Sequence, residues 1–169
     1  DLERLATLSR AVRQEHFANV LLLGMGGSSL APEVLAAILG SGRAAPRLVI
    51  GDSTDPEHVR RISQAVDAGS TLVVIASKSG STLEPNLLAD FFLDRFRALG
   101  GRDRFARHVV AITDPGSSLE TRARSNRFRA IEYGLPTVGG RYSALTAFGL
   151  VPAALVGIDV PRLVVRARA

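Results

Sequence analysis

Five short apolar runs recur along the chain: Val20 to Leu23, Arg47 to Ile50, Leu72 to Ala76, His108 to Ile112 and Phe128 to Ile131. Their hydrophobicity is near-continuous instead of alternating, which predicts strands covered on both faces, as in a parallel sheet. Segments of helical spacing separate them, about Leu30 to Leu39, Pro56 to Val66, Leu83 to Leu99 and Ser117 to Ala123. Ahead of the first strand, Leu2, Leu5, Leu8 and Val12 fall on one face of a helix over Leu2 to Glu15. After the fifth, a Gly/Pro-rich loop, Gly134 to Gly140, leads into a helix-compatible run from Ala144 to Val156. Strand and helix in this alternation predict an α/β fold, a doubly wound five-stranded parallel sheet flanked by helices in three layers.

In an open parallel sheet the loops leaving the carboxyl ends of the strands share one edge, and ligands bind there at the topological switch point. That edge collects the unusual loops: Gly24-Met25-Gly26-Gly27-Ser28-Ser29 after the first strand, Ser77-Lys78-Ser79-Gly80-Ser81-Thr82 after the third, and Asp114-Pro115-Gly116-Ser117-Ser118 after the fourth. Gly139-Gly140-Arg141 joins them only if the chain returns to that edge. The loop after the third strand is the most informative. A strand that breaks into small hydroxyl residues and then a helix aims backbone N–H groups, side-chain O–H groups and one ammonium at the same spot, which is how a phosphate is held.

Composition sharpens that reading at one residue. Lys78 is the single lysine among 21 basic residues, the others all being arginine. A compact point charge is therefore expected where a planar fork would not substitute well; an incidental solvated lysine is the plain alternative. The formal charge of +5 suits nucleic acid or an anionic small molecule. Basic residues are spread along the chain with few aromatics among them, so a base-stacking surface is not expected. Most arginines read as solvated surface.

With 169 residues, 46% hydrophobic, the chain fits one compact domain. It has no cysteine, which excludes a disulfide framework, a thiolate metal site and a thiol nucleophile, and an intracellular protein fits best. No apolar run reaches eighteen residues and Asp1-Leu2-Glu3-Arg4 is no secretory leader, so a soluble protein is expected. His16, His58 and His108 stand far apart, and no metal is expected. The chain starts without Met and ends on Leu163 to Ala169 without an obvious stop signal, so an excised piece of a longer polypeptide is expected.

The first loop invites comparison with a dinucleotide fingerprint, with Asp52 imitating its ribose-binding acid, but Ser29 stands where G-x-G-x-x-G/A needs Gly or Ala. A tight turn for close helix packing is the alternative reading of those glycines. Asp52 to Pro56 reads as a helix start, with Thr54 or Asp55 as cap and Pro56 first in the helix. Asp114 to Ser118 has turn and capping chemistry and lines the edge without an assigned role. Glu84 suits a helix start, with a catalytic-base role the less favoured alternative.

Gly139-Gly140-Arg141-Tyr142-Ser143, the small and apolar residues after it, and Gly157-Ile158-Asp159 resemble the signature of the glucose-6-phosphate isomerase family. Gly24 to Leu30 is similar to that family's G-x-G-G-S-x-L turn, and Ser77 to Thr82 followed by Glu84 to its S-K-[ST]-x-[ST]-T-x-E loop. Ser28 to Glu33 and Asp52 to Pro56 resemble most the isomerase half of bacterial transaldolase/glucose-6-phosphate isomerase fusions. The resemblance implies the first of two sugar isomerase (SIS) domains, a flavodoxin-like sandwich spanning residues 1–169. It implies that Ser77, Lys78, Ser79 and Thr82 bind the phosphate of a hexose 6-phosphate, that Gly27 and Ser28 lie beside the sugar, and that Arg141 stabilises the enediolate. The base, the ring-opening acid and a further lysine would lie beyond residue 169. It further implies a cytoplasmic, homo-oligomeric full-length enzyme, with a fused transaldolase domain if the subtype holds, and no cofactor, nucleic acid or membrane partner. A stand-alone SIS-type sugar-phosphate sensor and a nucleotide-binding oxidoreductase are the alternatives.

Overall fold

The computed structural model describes residues 2–42, 44–98 and 105–168. Five strands, β1 (Asn19–Gly24), β2 (Arg47–Gly51), β3 (Thr71–Ala76), β4 (Val109–Thr113) and β5 (Ala130–Tyr133), form one parallel sheet in the order β2-β1-β3-β4-β5. The helices are α1 (Leu2–Gln14), α2 (Leu30–Leu39), α3 (Pro56–Ala65), α4 (Leu83–Arg97), α5 (Ser118–Ser125), α6 (Ala147–Leu155) and α7 (Val160–Ala167). The doubly wound α/β sandwich read from the sequence is the architecture observed.

Strand alternation divides the core in two. Leu21, Leu23, Val73, Ile75 and Ala111 face α3, α4 and α5 through Ile62, Phe92, Leu93 and Leu119. Val20, Leu22, Val74, Val110 and Ile112 face α1, α2, α6 and α7 through Val12, Leu35, Val151 and Val160. Because both faces are covered, β1, β3 and β4 are buried along their whole length, which is why these segments read as unbroken apolar runs. The edge strands β2 and β5 lack a neighbour on one side and are only partly buried.

Helix starts follow from capping chemistry. Asp55 accepts the His58 N–H (2.9 Å) with Pro56 first in α3, and Ser117 accepts the Glu120 N–H (3.0 Å) at the head of α5. Two elements differ from expectation by more than a residue or two at an end. The run from Ala144 is not one helix: Gly140–Leu145 is a 3-10 turn, and α6 begins only after Thr146, whose hydroxyl accepts the Phe148 N–H at 3.3 Å. The last helix, α7, carries a signal that the sequence reading passed over, Asp159 accepting the Arg162 N–H at 3.0 Å with a proline in its first turn. The expected end of α4 at Leu99 lies outside the described residues; its described part ends at Arg97. No helix of the described residues is long and apolar enough to cross a membrane.

From β1 the chain steps outward to β2 and then returns to β3 on the other flank of β1. The switch point is therefore between β1 and β3, where their carboxyl-terminal loops diverge around a crevice.

Candidate functional site

At that switch point lies a cleft of about 520 Å³, lined by Gly27 and Ser28 from the β1 loop, Ser77, Lys78, Ser79 and Thr82 from the β3 loop, Asp114 to Ser117 from the β4 loop, and Gly140. Its size is that of a small-molecule site. Six of the seven expected site residues thus share one cavity, and the seventh, Arg141, follows Gly140 in the chain without itself lining the wall. Arg141 is exposed and its guanidinium makes no hydrogen bond or ion pair with the described residues.

The β3 loop is held by its own hydroxyls and N–H groups. Ser77 is buried and its hydroxyl accepts the Gly80 N–H (3.2 Å), while Ser79 accepts both the Ser81 N–H (3.2 Å) and the Ser81 O–H (2.9 Å). Gly80 sits at φ +72°, and a Cβ there would lie 2.5 Å from Leu119 N, so both its conformation and its packing on α5 require glycine. Asn86, one turn into α4, donates to the carbonyls of Gly80 and Thr82 (2.9 Å each) and fastens the loop to the helix. Thr82 occupies the N-cap position of α4 without using its hydroxyl as a cap. That hydroxyl lines the cleft beside the first turn of α4, whose N–H groups have no intrahelical acceptor.

The return of Gly139-Gly140-Arg141 to this edge is achieved by two 3-10 turns meeting back to back, Gly26–Ser28 and Gly140–Leu145. Gly27 packs so closely that a Cβ on it would lie 2.2 Å from Gly140 O, and Ser143 stitches the two turns by donating to Gly140 O (2.6 Å) and Gly27 O (3.3 Å). Of the glycines of the first loop, Gly27 therefore serves an approach of backbone to backbone, whereas a Cβ on Gly26 would meet nothing within 4 Å.

Lys78 stands in the cleft wall with its ammonium turned to protein groups. It pairs with Asp114 Oδ2 and donates to the carbonyls of Leu135 (3.2 Å) and Pro136 (3.3 Å). The sequence reading left Asp114 without a role, because an Asp-Pro-Gly turn looks the same whether or not a lysine 36 positions away reaches it. On the far side of that loop, Glu120 accepts from Tyr133 Oη (2.7 Å), from the Gly116 N–H (2.6 Å) and from Arg124 (2.7 Å). Those bonds, the Tyr133 hydroxyl first, lower its carboxyl to about 2. Glu84 lies in the first turn of α4 and does not line the cleft. Among the described residues no group of three His, Asp or Glu could hold a metal.

The sequence model of the phosphoglucose isomerase family matches residues 9–165. The glucose-6-phosphate isomerase of Citrifermentans bemidjiense is 39% identical over 155 residues, covering 90% of this chain and 29% of that protein. Among solved structures, a glucose-6-phosphate isomerase from Chlamydia trachomatis superposes with a TM-score of 0.77 at 31% identity, over 91% of this chain and 29% of its own. A hypothetical protein from Thermus thermophilus does so with a TM-score of 0.81 at 35% identity, over 97% of this chain and 41% of its own. The chain thus spans less than a third of the curated relative it matches.

Proposed function

The chain belongs to the phosphoglucose isomerase family, and from that membership we propose that it is the sugar-phosphate-binding domain of a glucose-6-phosphate isomerase, interconverting glucose 6-phosphate and fructose 6-phosphate. The observation that carries the reading is the convergence of the β1, β3 and 139–141 segments on one cleft at the switch point.

In this reading the hydroxyls of Ser77, Ser79 and Thr82 and the N–H groups at the head of α4 take the phosphate. Gly27 and Ser28 lie along the sugar. Isomerisation needs ring opening, a base that carries a proton between C1 and C2, and a cation facing the oxyanion of the enediolate. Arg141, uncommitted to any described carboxylate, supplies that cation. The base and the ring-opening acid come from the part of the polypeptide beyond these residues, so the 169-residue piece alone binds without turning over. The same reading makes the full-length enzyme a cytoplasmic homo-oligomer without metal or redox cofactor. The wording of Ser28 to Glu33 and Asp52 to Pro56 adds a fused transaldolase domain.

The test is titration of this chain with fructose 6-phosphate, followed by amide shifts in the 77–82 loop, beside a coupled isomerase assay on the full-length protein. Shifts confined to the cleft together with turnover are expected. Absence of binding at millimolar ligand would remove the reading. Affinity in the isolated chain equal to that of the full-length protein, without turnover in either, would favour a stand-alone sensor, and a rise in melting temperature with NAD would favour a nucleotide-binding oxidoreductase.

A further inference from the structure

The arrangement around Lys78 gives this lysine a task other than gripping phosphate. An ammonium has three donors. Here three acceptors take them: Asp114 Oδ2, Leu135 O and Pro136 O. These acceptors stand on the loops that follow β4 and β5, so one side chain from the β3 loop ties three neighbouring strand ends together. Three oxygens gathered around a compact charge suit an ammonium and do not suit a planar guanidinium, a physical reason for the one lysine in a chain that otherwise uses arginine.

Backbone bonds show what the strut supports. Leu135 O also accepts the Val138 N–H (2.9 Å), closing the turn that feeds Gly139 and Gly140, and Tyr142 N–H returns to Gly139 O (2.9 Å). The segment from Leu135 to Gly140 is thus held at one end by Lys78 and at the other by the contact of Gly140 with Gly27. Arg141 is the next residue. Asp114 is in turn fixed to the β3 loop, its N–H donating to Lys78 O at 3.1 Å, and its second oxygen, Oδ1, is buried with no hydrogen-bond partner among the described residues. With the Asp114 side chain only 17% exposed, its charge is balanced by Lys78 and by no other described cation.

We infer that Lys78 and Asp114 form a positioning pair that sets the place of the Gly139–Arg141 segment, and that substrate phosphate is held without the lysine. The inference rests on the isomerase reading above. It is tested in the full-length protein with Lys78→Met, Asp114→Asn and the double variant, measuring kcat, KM for fructose 6-phosphate and competitive inhibition by inorganic phosphate. A strut predicts that each single change lowers kcat by ~10²-fold, the effect of a displacement of about 1 Å at a reacting group. It also predicts phosphate inhibition within about threefold of the parent, and a double variant no worse than either single one.

A phosphate ligand predicts the reverse. Asp114→Asn would then release the ammonium and tighten phosphate inhibition, and Lys78→Met would weaken it by about tenfold or more; either result overturns the pair. A crystal structure of the unsubstituted protein with inorganic phosphate decides independently of how the variants fold. Lys78 Nζ remaining on Asp114 supports the pair, and Lys78 Nζ on the phosphate refutes it. A parent protein without turnover refutes the isomerase reading and the pair together, whereas turnover in the parent combined with tighter phosphate binding in Asp114→Asn refutes the pair alone.

Discussion

Replacing Gly27 by alanine probes the joint on which the site depends. The added Cβ would lie 2.2 Å from Gly140 O, 2.6 Å from Gly140 C and 3.3 Å from Arg141 N. Carbon and oxygen tolerate little under about 3.2 Å, so a gap of about 1 Å must open. All the atoms met are backbone, and no rotamer change can relieve the contact. The 139–141 segment must therefore shift, because the β1 loop is anchored behind Gly27 by the Ser28 and Ser29 N–H bonds to Met25 O and Gly26 O, both 3.1 Å. Overpacking of this kind costs about 1–3 kcal/mol of stability. The shift would move Arg141 by about the same 1 Å, which predicts a fall in kcat of ~10²-fold. Ser77, Ser79 and Thr82 stand on the β3 loop and not on either of the two turns that meet at Gly27, so in the isomerase reading KM for fructose 6-phosphate should change little. Steady-state kinetics of the full-length variant, with melting temperature measured on the same sample, give both numbers. A folded variant with kcat within about threefold of the parent would refute the view that the Gly27–Gly140 contact places the arginine.

Three further outcomes follow from the same geometry. Arg141→Ala should lower kcat by ~10²–10³-fold while leaving inorganic phosphate inhibition nearly unchanged, since its partner charge exists only in the transition state; equal loss of both would refute the clamp role. Thr82→Val keeps shape and removes one hydroxyl from a phosphate dianion, worth about 1.5–3 kcal/mol, so KM should rise roughly tenfold to a hundredfold with kcat largely kept. Glu120 has its carboxyl lowered to about 2 in the folded state by Tyr133, Gly116 and Arg124. Its contribution to stability is therefore full above the ordinary carboxylate range and is lost as pH falls through that range toward 2. Melting curves of the parent and Glu120→Gln should differ at neutral pH and converge in acid, and a constant difference down to pH ~2 would contradict the assignment.

Much of the fold was legible because burial on both faces leaves a plain mark on the sequence. β1, β3 and β4 are unbroken apolar runs since both sides of each strand meet helices, and α2 begins and ends at the residues its pattern indicated. The misread elements are those whose boundaries depend on local backbone bonding. Gly140–Leu145 winds as a 3-10 turn because Gly139 O and Ser143 O take the Tyr142 and Thr146 N–H groups, and a hydrophobicity pattern does not distinguish that turn from the first turn of an α-helix. For α7 the Asp159 cap and the following proline are present in the sequence, where Asp159 reads as the end of the Gly157-Ile158-Asp159 motif instead of the start of a helix.

The site divides along a similar line. Hydroxyl residues between a strand and a helix suggest an anion site through their own chemistry, so Ser77, Ser79 and Thr82, which line the cleft, could be singled out one loop at a time. Gly27 and Lys78 were also named from the sequence, but their packing was not legible there, because the contacts each makes are with partners remote in sequence: Gly140 in one case, Asp114 and the Leu135 and Pro136 carbonyls in the other. A glycine before a helix looks like a turn and a lysine beside serines looks like a phosphate ligand, and neither pattern shows the distant stretches of chain that pack against them. Those same long-range contacts bring the 139–141 segment to the switch point. In the isomerase reading, the groups proposed to hold the phosphate are thus written locally in the sequence, whereas the contacts that place the 139–141 segment are written only in the packing of loops against one another.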